Sequence, residues 1–518
     1  MGGTPMLLEE RMPDPSRRTS TILLVLATVA CFGVVCTYGF TNAEDEGLIS
    51  RNPMFNPPTF ASLREIWTRP HLYLYVPATY TAWWLIAQVA QTQVADESGA
   101  TLNPWVFHGA NLLAHVVASL LVLALLRRLT RRQGPALIGA LLFAIHPIQT
   151  EAVAWTTGMK DTLCGVFSFA ALLVYVTYAQ RTSHAGAERS EERAQRRPGS
   201  VETGTLEEAG VALRSSRAAL DPGVGRYIFA TFFLVLALLS KPAAVVVPLM
   251  ALIIDRVLLD RPWRATATSL ALWFALTIPV MLIARVVQPA TDVTPAPLWA
   301  RPLVAMDALG FYLAKLAAPV GLTNNYGRTP QFIIARGTIY YAWIIPAAVA
   351  AALALARSRR LTAAVLLFIA GVLPVLGLTT FLYQQFSTVA DRFVYLSMLG
   401  PAAGVAFILS RRWTRGSVIL AAAVLVVLGV MTVRQSLVWR NRLTLAEHAV
   451  KVQPDNPAAR SSYAGALMRQ GRIDEAIMQL QHVMTIMPNE GTKELIEQLR
   501  ASTRPTTTTP PGTTQSSE

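Results

Sequence analysis

Apolar residues run through this chain in blocks too long for the core of a soluble domain. Runs of spanning length occupy 21–40, 105–126, 135–152, 162–179, 227–240, 243–259, 265–287, 338–356, 361–380, 394–410 and 415–434. A helix of about 20 apolar residues crosses the hydrocarbon core of a bilayer. The pattern therefore predicts an all-α, polytopic membrane protein with about 11 transmembrane helices. The pair at 227–259 is short and is broken by Lys241-Pro242.

Charge gives these helices a direction. Arginines cluster between the apolar runs, at Arg17-Arg18, Arg127-Arg128, Arg131-Arg132, Arg359-Arg360 and Arg411-Arg412. Such clusters mark cytoplasmic loops. They place the N-terminal segment 1–20 inside and, by alternation, the end of the last span outside. Two further apolar stretches, Leu74 to Gln91 and Leu303 to Pro319, must then not cross. Both are partly polar or aromatic, as helices lying at the outer interface are. The 181–226 stretch mixes Glu, Arg, Ser and Gly without apolar period and reads as a disordered cytoplasmic loop. The 501–518 stretch is Thr, Pro, Ser and Gly and reads as a disordered tail.

Composition agrees. Hydrophobic residues make up 53% of the chain and charged ones 15%, against roughly 25% charged in soluble domains. The net charge of +14 comes from loop anchors rather than from a groove for phosphates, which argues against nucleic acid. Cys31, Cys36 and Cys164 fall inside predicted spans and read as small core residues. The arginine-over-lysine bias suggests a GC-rich bacterial genome, so the membrane is read as the bacterial inner membrane and the outside as the periplasm.

Beyond the membrane domain, read as 21–440, lies a helical region at 441–500. Its stretch PAARSSYAGALMRQGRIDEAIMQLQHVMTIMP, Pro457 to Pro488, has Tyr463-Ala464, Leu467, Gly471, Ile473, Ala476, Leu480 and a closing proline at tetratricopeptide-repeat positions. Leu445 to Asn456 has the spacing of a preceding second helix, and Lys493 to Arg500 that of a capping helix. An ordinary helical hairpin is the plainer alternative. One full repeat is short of the three or so that stand alone, so it is expected to pack on the membrane domain or on another copy.

Directly after the first span comes Glu44-Asp45-Glu46, with Asn52-Pro53 downstream. Further polar groups sit near span ends: Phe107-His108 with Asn111-Leu112-Leu113 and His115; His146-Pro147; Thr150-Glu151-Ala152-Val153-Ala154-Trp155; Lys160-Asp161; Ser240-Lys241; and Ala390-Asp391-Arg392 with Tyr395-Leu396. With the repeat, this set resembles the transmembrane-and-tetratricopeptide-repeat family, whose characterised eukaryotic members are protein O-mannosyltransferases of the GT-C glycosyltransferase fold. The chain departs from the family pattern at Glu44, where the family has Asp, at Gln149, where it has a second His, and at Pro242, where it has Glu.

The resemblance implies a GT-C-like membrane domain and a glycosyltransferase that moves a sugar from a polyprenyl-phosphate donor. The acceptor is a protein or glycan hydroxyl on the outer face, and mannose is the sugar the family suggests. It implies a first-loop carboxylate as general base: Asp45 in first place, with Glu44 and Glu46 as the other acids. A carboxylate beside other carboxylates and a low-dielectric bilayer has its proton affinity raised, which suits that role. Arg392, Lys241 and Lys160 are read as contacts for the donor phosphate.

His146, Glu151, Asp161 and His108 are read as positioning acceptor or sugar. Each residue also has a plainer reading. Arg392 adjoins Asp391 and is open to a local salt bridge, and Lys241 is placed to snorkel to water. His108 and His115, seven apart, suit interhelical hydrogen bonds, and His146-Pro147 suits a span end. No metal-ligand spacing is present, although Glu151 and Asp161 are compatible with a divalent cation. The expected partners are the bilayer with its lipid-linked sugar, the acceptor, and a protein partner at the repeat. The alternative reading is a non-enzymatic membrane scaffold that presents the repeat to envelope proteins. A transporter is disfavoured because the charges cluster at one face rather than at midplane.

Overall fold

The structure is a computed structural model that describes residues 12–41, 43–95, 101–195, 222–288 and 294–503. Most of the expected N-terminal segment, of the 181–226 loop and of the 501–518 tail lies outside them. Among the described residues there are helices and no strand. Seven helices of the described residues are long and apolar enough to cross a membrane: Arg17–Thr37, Pro104–Thr130, Thr156–Thr182, Gly223–Ser240, Trp263–Val287, Thr338–Ala356 and Arg415–Val438. An eighth span results if Gln133–Ile145 and Pro147–Ala154, bent by 47°, are taken as one.

The remaining expected runs are assembled from shorter pieces. The 243–259 run is a 3-10 turn, Pro242–Val246, then a helix, Val247–Ile253, and a π turn, Ile254–Leu258. The 361–380 run is Arg359–Val372 followed by a 3-10 turn at Pro374. The 394–410 run begins its helix at Leu399, with Pro401 in the first turn. Prolines account for the breaks at 242, 374 and 401, because each removes a backbone donor and crowds the preceding turn; the π turn Ile254–Leu258 contains none.

The helices that build the site are, in chain order, α1 (Arg17–Phe32), α2 (Pro77–Ala90), α3 (Pro104–Thr130), α4 (Gln133–Ile145), α5 (Met159–Gln195) and α6 (Pro222–Ser240). They are followed by α7 (Arg301–Ala317), α8 (Leu399–Arg411) and α9 (Arg415–Val438). The helices α2 and α7 cover the two stretches expected not to cross, and neither is among the spanning helices. Although the 181–226 composition predicts disorder, α5 continues to Gln195. Its Ala, Glu and Arg residues are good helix formers.

Caps fix the ends. Ser16 accepts from the Thr19 amide at 3.1 Å to start α1. Asn103 accepts from the Trp105 amide at 3.0 Å ahead of Pro104. At the far end of α3, Arg131 turns left-handed, with φ 58°.

Helices α3, α4 and α5 zigzag through the centre, with α8 against α4 and α6 against α5. Small residues let α4 and α8 touch: a Cβ at Gly139 would lie 2.4 Å from the Ala402 carbonyl oxygen. A second apolar cluster, with Leu48, Phe55, Tyr80, Trp83 and Phe107, packs the first long loop against α2 and the start of α3. Leu48 and Ile49, just after the acidic triplet, belong to that cluster.

After α9 the chain passes buried Trp439 and forms α10 (Arg442–Val452), α11 (Pro457–Arg469), α12 (Ile473–Ile486) and α13 (Glu490–Thr503). Asn441 and Asn456 cap α10 and α11. Gly471, at φ 72°, turns α11 into α12. Ala464, Leu467, Ala476, Ile477, Leu480 and Ile496 form the core of this tail. The tail is docked on the loop after α7. His448 of α10 reaches the Leu322 carbonyl at 3.0 Å, beside Gln435 of α9 at 3.1 Å, and the Asn456 side-chain amide donates to the Asn325 carbonyl at 3.2 Å.

Candidate active site

The site grows from a break. Helix α4 stops at His146-Pro147, and the chain makes two short turns and the five-residue helix Thr150–Ala154 before α5 starts at Met159. A break at this point leaves carbonyls without helical partners, and such groups must be satisfied inside the protein. Asn111 of α3 does this. Its side-chain amide donates to the carbonyls of Ala152, Val153 and Trp155 at 3.0, 2.9 and 3.0 Å. Thr162 donates back to the Asn111 oxygen. The tip that carries Glu151, Trp155, Lys160 and Asp161 is thus pinned to α3.

His146 belongs to the same pinning. Its Nδ1 accepts from the Ile148 amide at 3.2 Å, so Nε2 carries the proton and donates to the Leu316 carbonyl at 3.2 Å. His108 Nε2 lies 3.2 Å from the Gly39 carbonyl and 3.1 Å from Thr156 Oγ1. His115 bridges Tyr395 Oη at 2.8 Å and the Ala144 carbonyl at 2.9 Å. Each of these histidines joins one chain segment to another.

The three acids of the triplet have three different surroundings. Asp45 is fully buried. One carboxylate oxygen accepts the Thr41 amide at 2.9 Å and the Thr41 hydroxyl at 3.1 Å. The other accepts the Thr157 amide at 3.1 Å and the Thr157 hydroxyl. Burial raises its proton affinity above the usual carboxylate range and outweighs these hydrogen bonds, and the Glu44 charge adds to the rise.

Glu44 has 43% of its side chain exposed, and Lys160 Nζ donates to its Oε1 at 2.7 Å. Desolvation pushes its proton affinity up, but the charges of Lys160, Arg392 and Lys241 together prevail and hold it below the usual range. Glu46 faces the tail, where Arg442 of α10 donates to it at 2.6 Å and Arg469 of α11 at 3.1 Å.

The cations close the cluster. Lys241, just past the end of α6, pairs with Asp161. Arg392 pairs with Glu151 through its side chain, and its backbone amide donates to Glu151 Oε2 at 2.8 Å. Asp391, the sequence neighbour offered as a local partner, instead accepts from Tyr326 Oη at 2.7 Å. The Arg392 guanidinium lies 4.3 Å from the Tyr383 ring centroid, 5.0 Å from Phe393 and 5.2 Å from Trp155. Lys160 reaches the same Trp155 ring at 5.7 Å, and Lys241 the Phe393 ring at 5.7 Å. Three cations are therefore linked by shared aromatic faces, each matched to one carboxylate. Of the three, Lys241 is the most open, with 19% of its side chain exposed.

Glu44, Glu151, Lys160, Asp161, Lys241 and Arg392 thus meet in one network, while His108, His146 and Asp45 face into the protein around it and Glu46 faces the tail. Sequence reasoning missed Tyr383, Phe393 and Thr157, and did not give Trp155 and Asn111 their parts. Asn111 carried a signal: a buried amide on an apolar helix needs several partners. Among the described residues no group of three His, Cys, Asp or Glu side chains is arranged to hold a metal ion.

No protein-family model matches the chain. A protein O-mannosyl-transferase of Caenorhabditis elegans, F38B6.6, is 30% identical over 181 residues, 32% of this chain and 25% of that protein. Human protein O-mannosyl-transferase TMTC1 is 37% identical over 75 residues, 14% of this chain and 8% of that protein. Drosophila melanogaster protein O-mannosyl-transferase Tmtc2 is 41% identical over 80 residues, 15% and 8% of the two chains. These relatives are of the family that the sequence motifs resemble, and the chain spans a quarter or less of their length in these matches. A crystal structure of the apo oligosaccharyltransferase of Archaeoglobus fulgidus is similar with a TM-score of 0.42 and 13% identity, over 81% of this chain and 56% of that one.

Proposed function

We propose that this relative of the protein O-mannosyl-transferases is itself a membrane glycosyltransferase. In this reading it takes a sugar from a polyprenyl phosphate and passes it to a protein or glycan hydroxyl. The sugar is mannose, as in the relatives' names. One observation carries the reading: Glu44, the half-exposed acid of the triplet, is held by Lys160 in the same network as Lys241 and Arg392. A base and phosphate-binding cations are the two things a glycosyl transfer from phosphate needs side by side.

In the reaction we infer, the acceptor oxygen attacks the anomeric carbon, and its proton passes to the Glu44 carboxylate. The bond from the anomeric carbon to the phosphate oxygen breaks, and the polyprenyl phosphate leaves with the electron pair. Arg392, Lys241 and Lys160 offset the charge that develops on it. An incoming phosphate that draws Lys160 to itself removes the largest electrostatic restraint on Glu44 and so raises its basicity when donor is bound. Asp45 anchors the loop, which moves the base from the acid that the sequence favours to its neighbour.

We further read the membrane domain as 21–440 with eleven crossings in the bacterial inner membrane, the broken runs included, and the site at the periplasmic face. Helices α11 and α12 we read as a tetratricopeptide repeat. Its tie to Glu46 supports a role in presenting the acceptor or a protein partner to the site.

The test uses the full chain in detergent with mannosyl-phosphoryl-polyprenol and a Ser/Thr-rich peptide, read by mass spectrometry. Hexose added to the peptide by the unsubstituted chain, and lost in Glu44→Gln, is the expected result. A loss or gain of envelope glycans that tracks the gene extends it to the cell. No transfer from any polyprenyl-phosphate sugar, with glycans unchanged on gene deletion, would overturn the reading.

A further inference from the structure

A second charged site lies at the opposite end of the same helices. Between the C-terminal end of α3 and the matching turns of α5 there is a cavity of about 330 Å³ lined by Arg127, Arg128, Arg131, Thr177, Gln180 and Arg181. Lys160 and Arg181 are both on α5, 21 residues apart in sequence. At 1.5 Å per residue the cavity is ~30 Å from the candidate active site, about the thickness of the hydrocarbon core. If one end of α5 lies at one surface of the bilayer, the cavity lies at the other, in the headgroup layer.

We propose that this cavity binds the phosphate of an anionic phospholipid headgroup. Four guanidinium groups line it and, among the described residues, no carboxylate does. Among the described residues none of the four forms an ion pair; Asp14, close by, is taken by Arg132 at 3.5 Å. Like charges gathered on one concave wall repel each other, and an anion between them removes that cost.

Two ordinary explanations fall short. Loop charge rules bring arginines to this face, but they do not make four of them line one hollow. Attraction to the helix C-terminus acts on single charges within the last turn, and Arg181 lies mid-helix in α5. The neutral groups fit an oxyanion as well. Arg128 donates to Gln180 Oε1 at 3.3 Å, which orients the Gln180 amide and leaves its N–H groups for an acceptor. Arginine forks suit phosphate oxygens in pairs, and basic pockets between membrane helices are known lipid-phosphate sites. A headgroup is favoured over free phosphate because of the cavity's depth, where lipid phosphate is the concentrated anion.

The inference is independent of the glycosyltransferase reading. Its test is native mass spectrometry of the full chain released from detergent with phosphatidylglycerol or phosphatidylcholine of the same acyl chains, followed by inorganic phosphate as competitor. The unsubstituted chain should retain phosphatidylglycerol roughly tenfold more strongly than phosphatidylcholine. Arg128→Gln/Arg131→Gln/Arg181→Gln should abolish that preference, Arg→Lys at the same positions should weaken it, and Arg412→Gln/Arg415→Gln should leave it. Equal retention of the two lipids by the unsubstituted chain, an outcome that needs no variant, would overturn the proposal. So would an unchanged preference in the triple glutamine variant, or inorganic phosphate binding as tightly as the lipid.

Discussion

Replacing Asp45 by asparagine separates an anchoring acid from a catalytic one. The carboxylate accepts from Thr41 through one oxygen and from Thr157 through the other, with a backbone amide in each pair. Asparagine keeps the shape but turns one acceptor into a donor. Whichever way the amide is set, its NH₂ meets a backbone N–H. A threonine hydroxyl can rotate away from it; the buried amide cannot. An unsatisfied buried donor costs about 1–3 kcal/mol, so Asp45→Asn should lower the melting temperature in detergent measurably.

What transfer activity remains should fall by no more than the loosened loop requires, roughly tenfold. Glu44→Gln should do the reverse. Its side chain is half exposed and its partner Lys160 can turn to water, so stability should hardly change while turnover falls by roughly 10² or more. The assay is thermal unfolding alongside peptide glycosylation for the two variants. An Asp45→Asn protein that melts like the parent yet has lost transfer by a hundredfold or more would refute the reasoning and return the base to Asp45.

Lys160→Met removes the strongest electrostatic pull on Glu44. Because that pull holds the folded-state proton affinity below the usual 4.5, the acid limb of kcat/KM should lie below that value in the parent and move upward in the variant. A pH–rate profile that does not move would break the link between Glu44 and the rate. Arg392→Lys keeps the charge but loses the fork and the stacking, and should raise the donor KM roughly tenfold. Glu151→Gln strands a nearly buried guanidinium and should cost about 3–5 kcal/mol of stability, visible in thermal unfolding. Glu46→Gln frees Arg442 and Arg469 and should speed hydrogen exchange in α10 and α11 and raise the acceptor KM, with donor hydrolysis by water unchanged. Cysteine in place of exposed Ser461 should react with a membrane-impermeant thiol reagent in spheroplasts; reaction only after lysis would put the tail in the cytoplasm.

The residues that converge were legible because they are costly anywhere else. Charged groups at the ends of apolar runs have few places to go, so Glu44, Lys160, Asp161, Lys241 and Arg392 stood out before their contacts were known. Their pairing was not legible. The partner of Arg392 is 241 residues away at Glu151 rather than next door at Asp391. Likewise, which acid of the triplet is exposed depends on Thr157, 112 residues from Asp45. Neither fact has a local signature, because tertiary packing alone decides it. Apolar length was a good guide to the uninterrupted helices and a poorer one where proline broke the run, at 147, 242, 374 and 401. Hydropathy sums over a window that the backbone does not respect.

The ion pairs of the site also impose an order on the making of the protein. Glu44, Glu151 and Asp161 all leave the ribosome before Lys241 and Arg392, and of the cations only Lys160 accompanies them. A nascent chain that has inserted only as far as α5 therefore holds two nearly buried carboxylates with no counter-ion. Each must stay at the water interface until the later helices arrive. Closure of the amino-terminal half around the site thus waits for the carboxyl-terminal half, although the two are joined through the long 181–226 stretch. A chain severed within that stretch should yield two fragments whose missing charges are complementary, so that co-expression, rather than either piece alone, restores the site.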